Sequence, residues 1–244
     1  MSQAQPEQNT SAQIADGRWK ALYRAGAVAP IVTIAIYLTQ MFTIIFGEPY
    51  PVTVNDWFSI FQRSRILALL YLNAFDVFSI ALLGVMFLAL YVALRRFDDS
   101  YAAIAAFFSF LGVAIFVSVR ADMGATVLSL SDQYAAATTE AQMDQLLATG
   151  QVINSLGRAT PDTVGFFFMS IGGLIFSTVM LRRGTFSKAA AYVGILGGVV
   201  TVVHRIGLFI APSFASVLMP ISGLLWLIWW ILVSLGLLRL ARAS

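Results

Sequence analysis

Six stretches of the chain are apolar for longer than a soluble core helix needs, and polar breaks separate them. They cover about 25–46, 66–94, 101–128, 162–181, 187–210 and 219–240. A run of about 20 apolar residues rising 1.5 Å each matches a hydrocarbon core of roughly 30 Å, so each stretch is predicted to cross a bilayer. The second and third runs exceed that need and are predicted to tilt or to project beyond the membrane. The fold class that follows is all-α, a polytopic membrane protein with six transmembrane helices.

The polar breaks carry their own signals. In 47–65, Pro49 and Pro51 end the first helix. Asn55 is then placed to cap a short helix carrying Trp57, Phe58 and Phe61, aromatics suited to the membrane interface. The break at 129–161 holds Thr139 and Gln142 at capping-box spacing. Met143, Leu146, Leu147, Ile153 and Leu156 follow mainly on one face, which predicts an amphipathic helix over 139–156. It would lie on the membrane or roof the outer ends of the bundle. Thr160, Pro161 and Asp162 read as the start of the fourth span, with proline at its first position. Within the spans, Ala190, Gly194 and Gly198 at four-residue spacing invite close helix approach, as do Gly172 and Gly173. Trp226, Trp229 and Trp230 sit mid-span, where packing is the first expectation and lining a pocket the second.

The second hairpin echoes the first. Asp76 precedes Leu94-Arg95-Arg96 much as Asp162 precedes Leu181-Arg182-Arg183, and Ser100-Tyr101-Ala102-Ala103 answers Ser187-Lys188-Ala189-Ala190. Both hairpins run in the same direction, the pattern of a parallel repeat about the membrane normal.

Composition agrees with the pattern. The chain is 59% hydrophobic and 11% charged, with a mean hydropathy of +0.82, where a soluble domain carries about a quarter charged residues. The expected organisation is a disordered cytoplasmic tail over 1–24 and one transmembrane domain over 25–244. The run after Arg18, Lys20 and Arg24 is too long for a signal-peptide core, so the first helix is expected to be retained. The absence of cysteine excludes disulfides, thiolate catalysis and thiolate metal sites.

Charge sets the orientation. Placing both termini in the cytoplasm puts Arg18, Lys20, Arg24, Arg95, Arg96, Arg182, Arg183, Lys188, Arg239 and Arg242 inside. It leaves Arg63, Arg65 and Arg158 outside, so basic residues favour this topology. A plasma-membrane protein, N-in and C-in, is expected.

Ionisable residues inside spans point to function by default. Here they are Asp76, Arg120, Asp122, His204 and Arg205, with Asn73 one turn from Asp76. Counted from the cytoplasmic anchors at 1.5 Å per residue, Asp76 and Arg120 lie at about 29 Å and His204 at about 24 Å, so the group shares one outer layer. Two readings compete. Asp76–Arg120 and Asp162–Arg205 could be structural pairs, or the layer could line an outward-opening polar cavity beneath the 129–161 segment. As the sole histidine, His204 excludes a multi-histidine metal site, and its ordinary role would be a local hydrogen bond. No carboxylate spacing calls for a metal. No nucleophile elbow, Walker or dinucleotide motif calls for a catalytic residue or cofactor. No basic patch suits nucleic acid.

The stretch from Leu128 to Gln142 (Leu-Ser-Leu-Ser-Asp-Gln-Tyr-Ala-Ala-Ala-Thr-Thr-Glu-Ala-Gln), with the segment from Tyr71 to Arg96, resembles a group of bacterial six-helix membrane proteins known only as a domain of unknown function. The resemblance implies a bacterial-type plasma-membrane protein. It brings no activity, substrate or site residues.

Three functions fit the sequence, in descending order. The first binds or translocates a small or lipid-like anionic ligand, held by Arg120 and Arg205, with Asp76 and Asp122 orienting the arginines and His204 adding pH sensitivity. The second is a structural or sensory subunit acting through a homo-oligomer or a partner membrane protein. The third is an intramembrane enzyme using Asp76 or Asp122 with His204 on a lipid headgroup; enzymatic activity is the least favoured.

Overall fold

The computed structural model describes residues 17–47, 49–72, 74–184 and 186–243, with the side chains of Asn154, of 156–162, of Arg183 and of Pro212 outside the description. All regular structure among these residues is helical. A 3-10 turn, Gly17–Trp19, leads into α1 (Lys20–Phe46); α2 (Val54–Arg63) and α3 (Arg65–Tyr71) are short. The remaining helices are α4 (Asp76–Leu94), α5 (Asp99–Ala136), α6 (Glu140–Thr160), α7 (Phe166–Arg183), α8 (Lys188–Ile210) and α9 (Pro212–Ala243). A π-helical turn, Pro161–Gly165, joins α6 to α7. Six of these helices, α1, α4, α5, α7, α8 and α9, are long and apolar enough to cross a membrane.

Helix α1 begins before the expected residue 25, so 17–24 are helical, while the tail expected over the first sixteen residues lies outside the described ones. The predicted span 66–94 is two helices. The chain leaves helical pairing after α3, with the Ala74 amide donating to the Leu69 carbonyl, and restarts with Asp76 in the first turn of α4. An acid there is favoured by the partial positive charge of the helix start. Helix α5 runs on to Ala136, 38 residues in all, longer than one bilayer crossing needs. The last helix begins at Pro212, earlier than 219.

The six long helices close into a ring in the order α1, α4, α5, α7, α8, α9 and back to α1. Small residues set the close approaches. A Cβ on Gly172 would meet Ser109 Oγ on α5, one on Gly194 would meet Ser177 Oγ on α7 and Trp229 Nε1 on α9, and one on Gly198 would lie 2.9 Å from Leu174 Cβ. The interior of the ring is filled by Tyr23, Leu83, Met86, Leu90, Phe176 and Trp229, all buried, with Phe87 stacked on Phe176 at 6.3 Å. The two echoing hairpins, α4–α5 and α7–α8, are neighbours through α5 and α7. Their turns are built differently: Asp98 caps α5 through the Tyr101 amide, whereas Ser187 caps α8 through the Ala190 amide, and Ser100 already lies inside its helix.

The ends of the ring differ in charge. Trp19 and Tyr91 lie under the Arg95 guanidinium, the Arg96 Nη2 donates to the Tyr23 hydroxyl, and Arg182 lies over Tyr101. These contacts place the start of α1 and both hairpin turns at one end, and Gly236 against Phe186 brings the last turns of α9 there too. We call this the basic end.

At the distal end, α2, α3 and α6 wrap the projecting part of α5. Trp57, Phe58 and Phe61 are buried there with Tyr71, Met123 and Val127, so they fill a second core. Leu146, Leu147 and Ile153 of α6 pack on that core, and Gly150 faces Val54 and Phe58. The amphipathic helix thus packs its apolar face on α2 and α5. The cap of α2 is Thr53, two residues before the expected Asn55: the Asp56 amide donates to Thr53 Oγ1, and the Asp56 carboxylate accepts from the Thr53 and Val52 amides. Those bonds to Thr53 and Val52 hold the exposed Asp56 carboxyl below the usual carboxylate range. At α6 the Thr139–Gln142 pair works as a modified capping box, with Gln142 Oε1 accepting from the amide of Thr138.

Candidate functional site: a cavity inside the ring

A cavity of about 270 Å³ lies between α1, α4, α7, α8 and α9. Its walls are largely apolar, from Ile34, Leu83, Phe87, Met169, Leu227 and Trp230 among others. Ser170 of α7, Thr201, His204 and Arg205 of α8, and Ser222 of α9 form a polar strip, and Tyr37, Trp226 and Trp230 add a hydroxyl and two indole N–H groups to the lining.

Helical spacing explains the strip. Thr201, His204 and Arg205 fall on one face of α8, three and four residues apart. On α9, one turn after Ser222, Trp226 donates its Nε1–H to Thr201 Oγ1 at 2.8 Å. Thr201 donates its one hydroxyl proton to the Gly197 carbonyl at 2.8 Å. Its contact with Ser222 Oγ at 3.1 Å must then have Ser222 as donor, because a hydroxyl carries a single proton. Ser170 donates to the Phe166 carbonyl at 2.6 Å. Both serine hydroxyls have thus committed their protons and can offer only lone pairs. His204 is 3% exposed, and its Nδ1 lies 2.8 Å from the Ala215 carbonyl. A carbonyl only accepts, so Nδ1 carries a proton, which leaves Nε2 as an acceptor wherever that is the ring's single proton.

Positive charge comes from Arg205, whose guanidinium lies 5.4 Å from the Phe166 ring. Phe166 meets Phe116 edge to face at 5.3 Å, and Arg120 lies over Phe116 at 5.3 Å. Two arginines therefore flank one aromatic pair across α5, α7 and α8, an arrangement attractive to each cation through the ring faces.

The residues expected in a polar layer are distributed as follows. His204 and Arg205 line the cavity. Arg120 is buried at the same level but behind the aromatic pair, and Asp76 is buried at the start of α4. The preceding turn lies against α5, with Ala74 Cβ 4.0 Å from a Cβ placed on Gly124. Asp76, Arg120 and Arg205 are all engaged in contacts. Asp122 is exposed on α5, away from the cavity. Asn73 and the side chain of Asp162 lie outside the described residues, so the expected Asp162–Arg205 pair does too. Among the described residues, none from 129–161 lines the cavity. Trp226 and Trp230 line it, while Trp229 is fully buried, so the tryptophans divide between the two expected roles. Thr201, Ser170 and Ser222 escaped sequence reasoning, since single hydroxyls in apolar helices ordinarily bond back to their own backbone. No group of three or more His, Asp or Glu side chains that could hold a metal ion comes together among the described residues.

A model of the domain of unknown function DUF4386 matches residues 62–234, which takes in α3 to α8, most of α9 and every residue of the polar strip. The chain belongs to this family. No curated protein and no solved structure matches it. The DUF4386 match starts at the end of α2, so α1, which supplies one wall of the cavity, lies outside the matched segment.

Proposed function

We propose that this protein binds or translocates a small amphiphile with an acidic, hydroxyl-bearing head, in a plasma membrane with both termini in the cytoplasm. The observation that carries the reading is the composition of the polar strip: one guanidinium beside three acceptors in an otherwise apolar cavity. Arg205 supplies the charge for an anion, in a setting where water is scarce and a charge-assisted hydrogen bond is correspondingly strong. Ser170, Ser222 and Nε2 of His204 supply lone pairs for ligand hydroxyls. A cationic head would face Arg205. Arg120, one aromatic pair away, adds to the positive potential. The orientation rests on the excess of Lys and Arg at the basic end.

Decyl phosphate is a suitable probe, because its monoanion carries both the charge and a P–OH donor. Thermal unfolding in a mild nonionic detergent is expected to show a saturable rise in Tm with decyl phosphate. Arg205→Gln should abolish the rise and Arg205→Lys should retain part of it. A parent protein indifferent to decyl phosphate, or an Arg205→Gln variant that responds as the parent does, would sink the reading.

A further inference from the structure

We infer that the cavity is loaded sideways from the bilayer, through a gap between α1 and α9, and that its occupant is a single-chain acidic amphiphile of the leaflet distal to the termini; this rests on the binding reading above. The first observation is where the ring comes apart. Helices α1 and α9 touch near the basic end, where a Cβ on Gly26 would lie 3.4 Å from Leu237 Cδ1. They are still together at Tyr37 and Trp230, with ring centroids 6.0 Å apart. Beyond that level the cavity-lining residues of both helices face outward as well: Leu38 is 57% exposed, Met41 58% and Met219 63%. A side chain that both lines a cavity and faces the outside marks its mouth.

The mouth is apolar. It consists of Leu38 and Met41 on one side and Met219 with Gly223 on the other. Such an opening in the side of a membrane bundle offers nothing to a hydrated solute, but no barrier to an alkyl chain already in hydrocarbon. Pro220 lies at the same level of α9 and contributes no backbone N–H, so the helix is one hydrogen bond short beside the gap.

The second observation is an amphipathic gradient along the cavity. At 1.5 Å per residue, Phe87 lies about 12 Å beyond Arg95 and Trp230 about 14 Å beyond Arg239, near mid-membrane. His204 and Arg205 lie about 24–26 Å beyond Lys188, close to the distal headgroups. The deepest walls are therefore apolar and the charged group is distal, at a level it shares with Met41 and Met219 of the mouth, so charge and depth run in the same order as in the lipid leaflet beside them. An amphiphile moving in through the gap would keep the orientation it had in the bilayer, with its head at Arg205 and its chain pointing to the membrane centre. The volume limits the occupant too. About 270 Å³ falls just short of the range of roughly 300–1,000 Å³ typical of ligand pockets, so a long chain must lean out through the mouth.

The test uses the full chain in phosphatidylcholine vesicles, with butyl phosphate and hexadecyl phosphate, each brominated on the chain, as quenchers of Trp226 and Trp230 fluorescence. Hexadecyl phosphate is expected to bind at least as tightly as butyl phosphate. Because the chain has no cysteine, Met219→Cys can carry a bulky maleimide at the mouth. That adduct should weaken hexadecyl phosphate about tenfold or more while changing butyl phosphate less than about threefold. Leu38→Cys, on the opposite rim, provides a second variant should the first fail to fold. Exclusion of hexadecyl phosphate with retention of butyl phosphate overturns the sideways entry and leaves the binding site standing, fed from water. Adducts at both rims that leave hexadecyl binding intact overturn it as well. Failure of both probes on the unlabelled protein removes the site itself.

Discussion

At the scale of single residues, Thr201 is the hinge of the candidate site. It is buried at 2% exposure, and its oxygen accepts from Trp226 and Ser222 while its proton goes to Gly197. Thr201→Val keeps the shape and removes all three bonds. Two donors, the indole N–H and the Ser222 hydroxyl, then lose their partner in an apolar wall, at about 1–3 kcal/mol for an unsatisfied buried group. Denaturation in detergent should register a loss of that order, with Thr201→Ser close to the parent. Equal stability of the valine variant would mean that water or another group replaces the hydroxyl. None of this network was visible in the sequence, where Thr201 is one threonine in an apolar run. His204 and Arg205 did stand out there, because charge inside a span is rare enough to notice without coordinates.

At the scale of helices, periodicity located the spans but not their interruptions. The run 66–94 reads as continuous because an apolar pattern does not record where backbone pairing lapses, and the break before Asp76 is written in a few residues of local geometry. The burial of the α2 aromatics was not legible for a related reason. Trp57, Phe58 and Phe61 have the composition of an interfacial belt, and only the overhanging end of α5 and the α6 roof bury them. The small-residue spacing of α8 was legible, since close approach needs a small side chain wherever it occurs. Gly194 gives the sharpest test, being wedged between Ser177 and Trp229. Gly194→Val should cost about 1–3 kcal/mol by overpacking, read as a lower Tm or loss of monodisperse protein. Gly223→Ala is the matched control, because nothing lies within 4 Å of a Cβ placed there. It should be neutral, or stabilising through helix propensity. Similar losses for both would show that the penalty is intrinsic to the helices and not to the α7–α8–α9 contact.

At the scale of the whole molecule, the ring is asymmetric from end to end, and that asymmetry is what makes a topology measurable. The even number of long helices returns the chain to its starting side, and contacts around Arg95, Arg96, Arg182 and Phe186 gather the start of α1, the last turns of α9 and both tight turns at the basic end. The opposite end carries α2, α3 and the α6 roof, with the exposed Arg65–Asp132 ion pair at 3.0 Å joining α3 to α5. Basic segments resist translocation, so the basic end is expected in the cytoplasm and the roofed end outside. Single cysteines in the cysteine-free chain report this directly. Gln145→Cys, exposed on α6, should react with a membrane-impermeant maleimide on intact cells, and Ser100→Cys, exposed at the α4–α5 turn, only after permeabilisation. The same orientation places His204, Arg205 and the mouth between α1 and α9 in the outer leaflet, so it decides which lipids the cavity could meet. An inverted labelling pattern would leave the ring and the cavity as they are and move the amphiphile's source to the cytoplasmic leaflet. Labelling of both positions on intact cells would instead mean that the six helices do not all cross, and the ring would have to be redrawn.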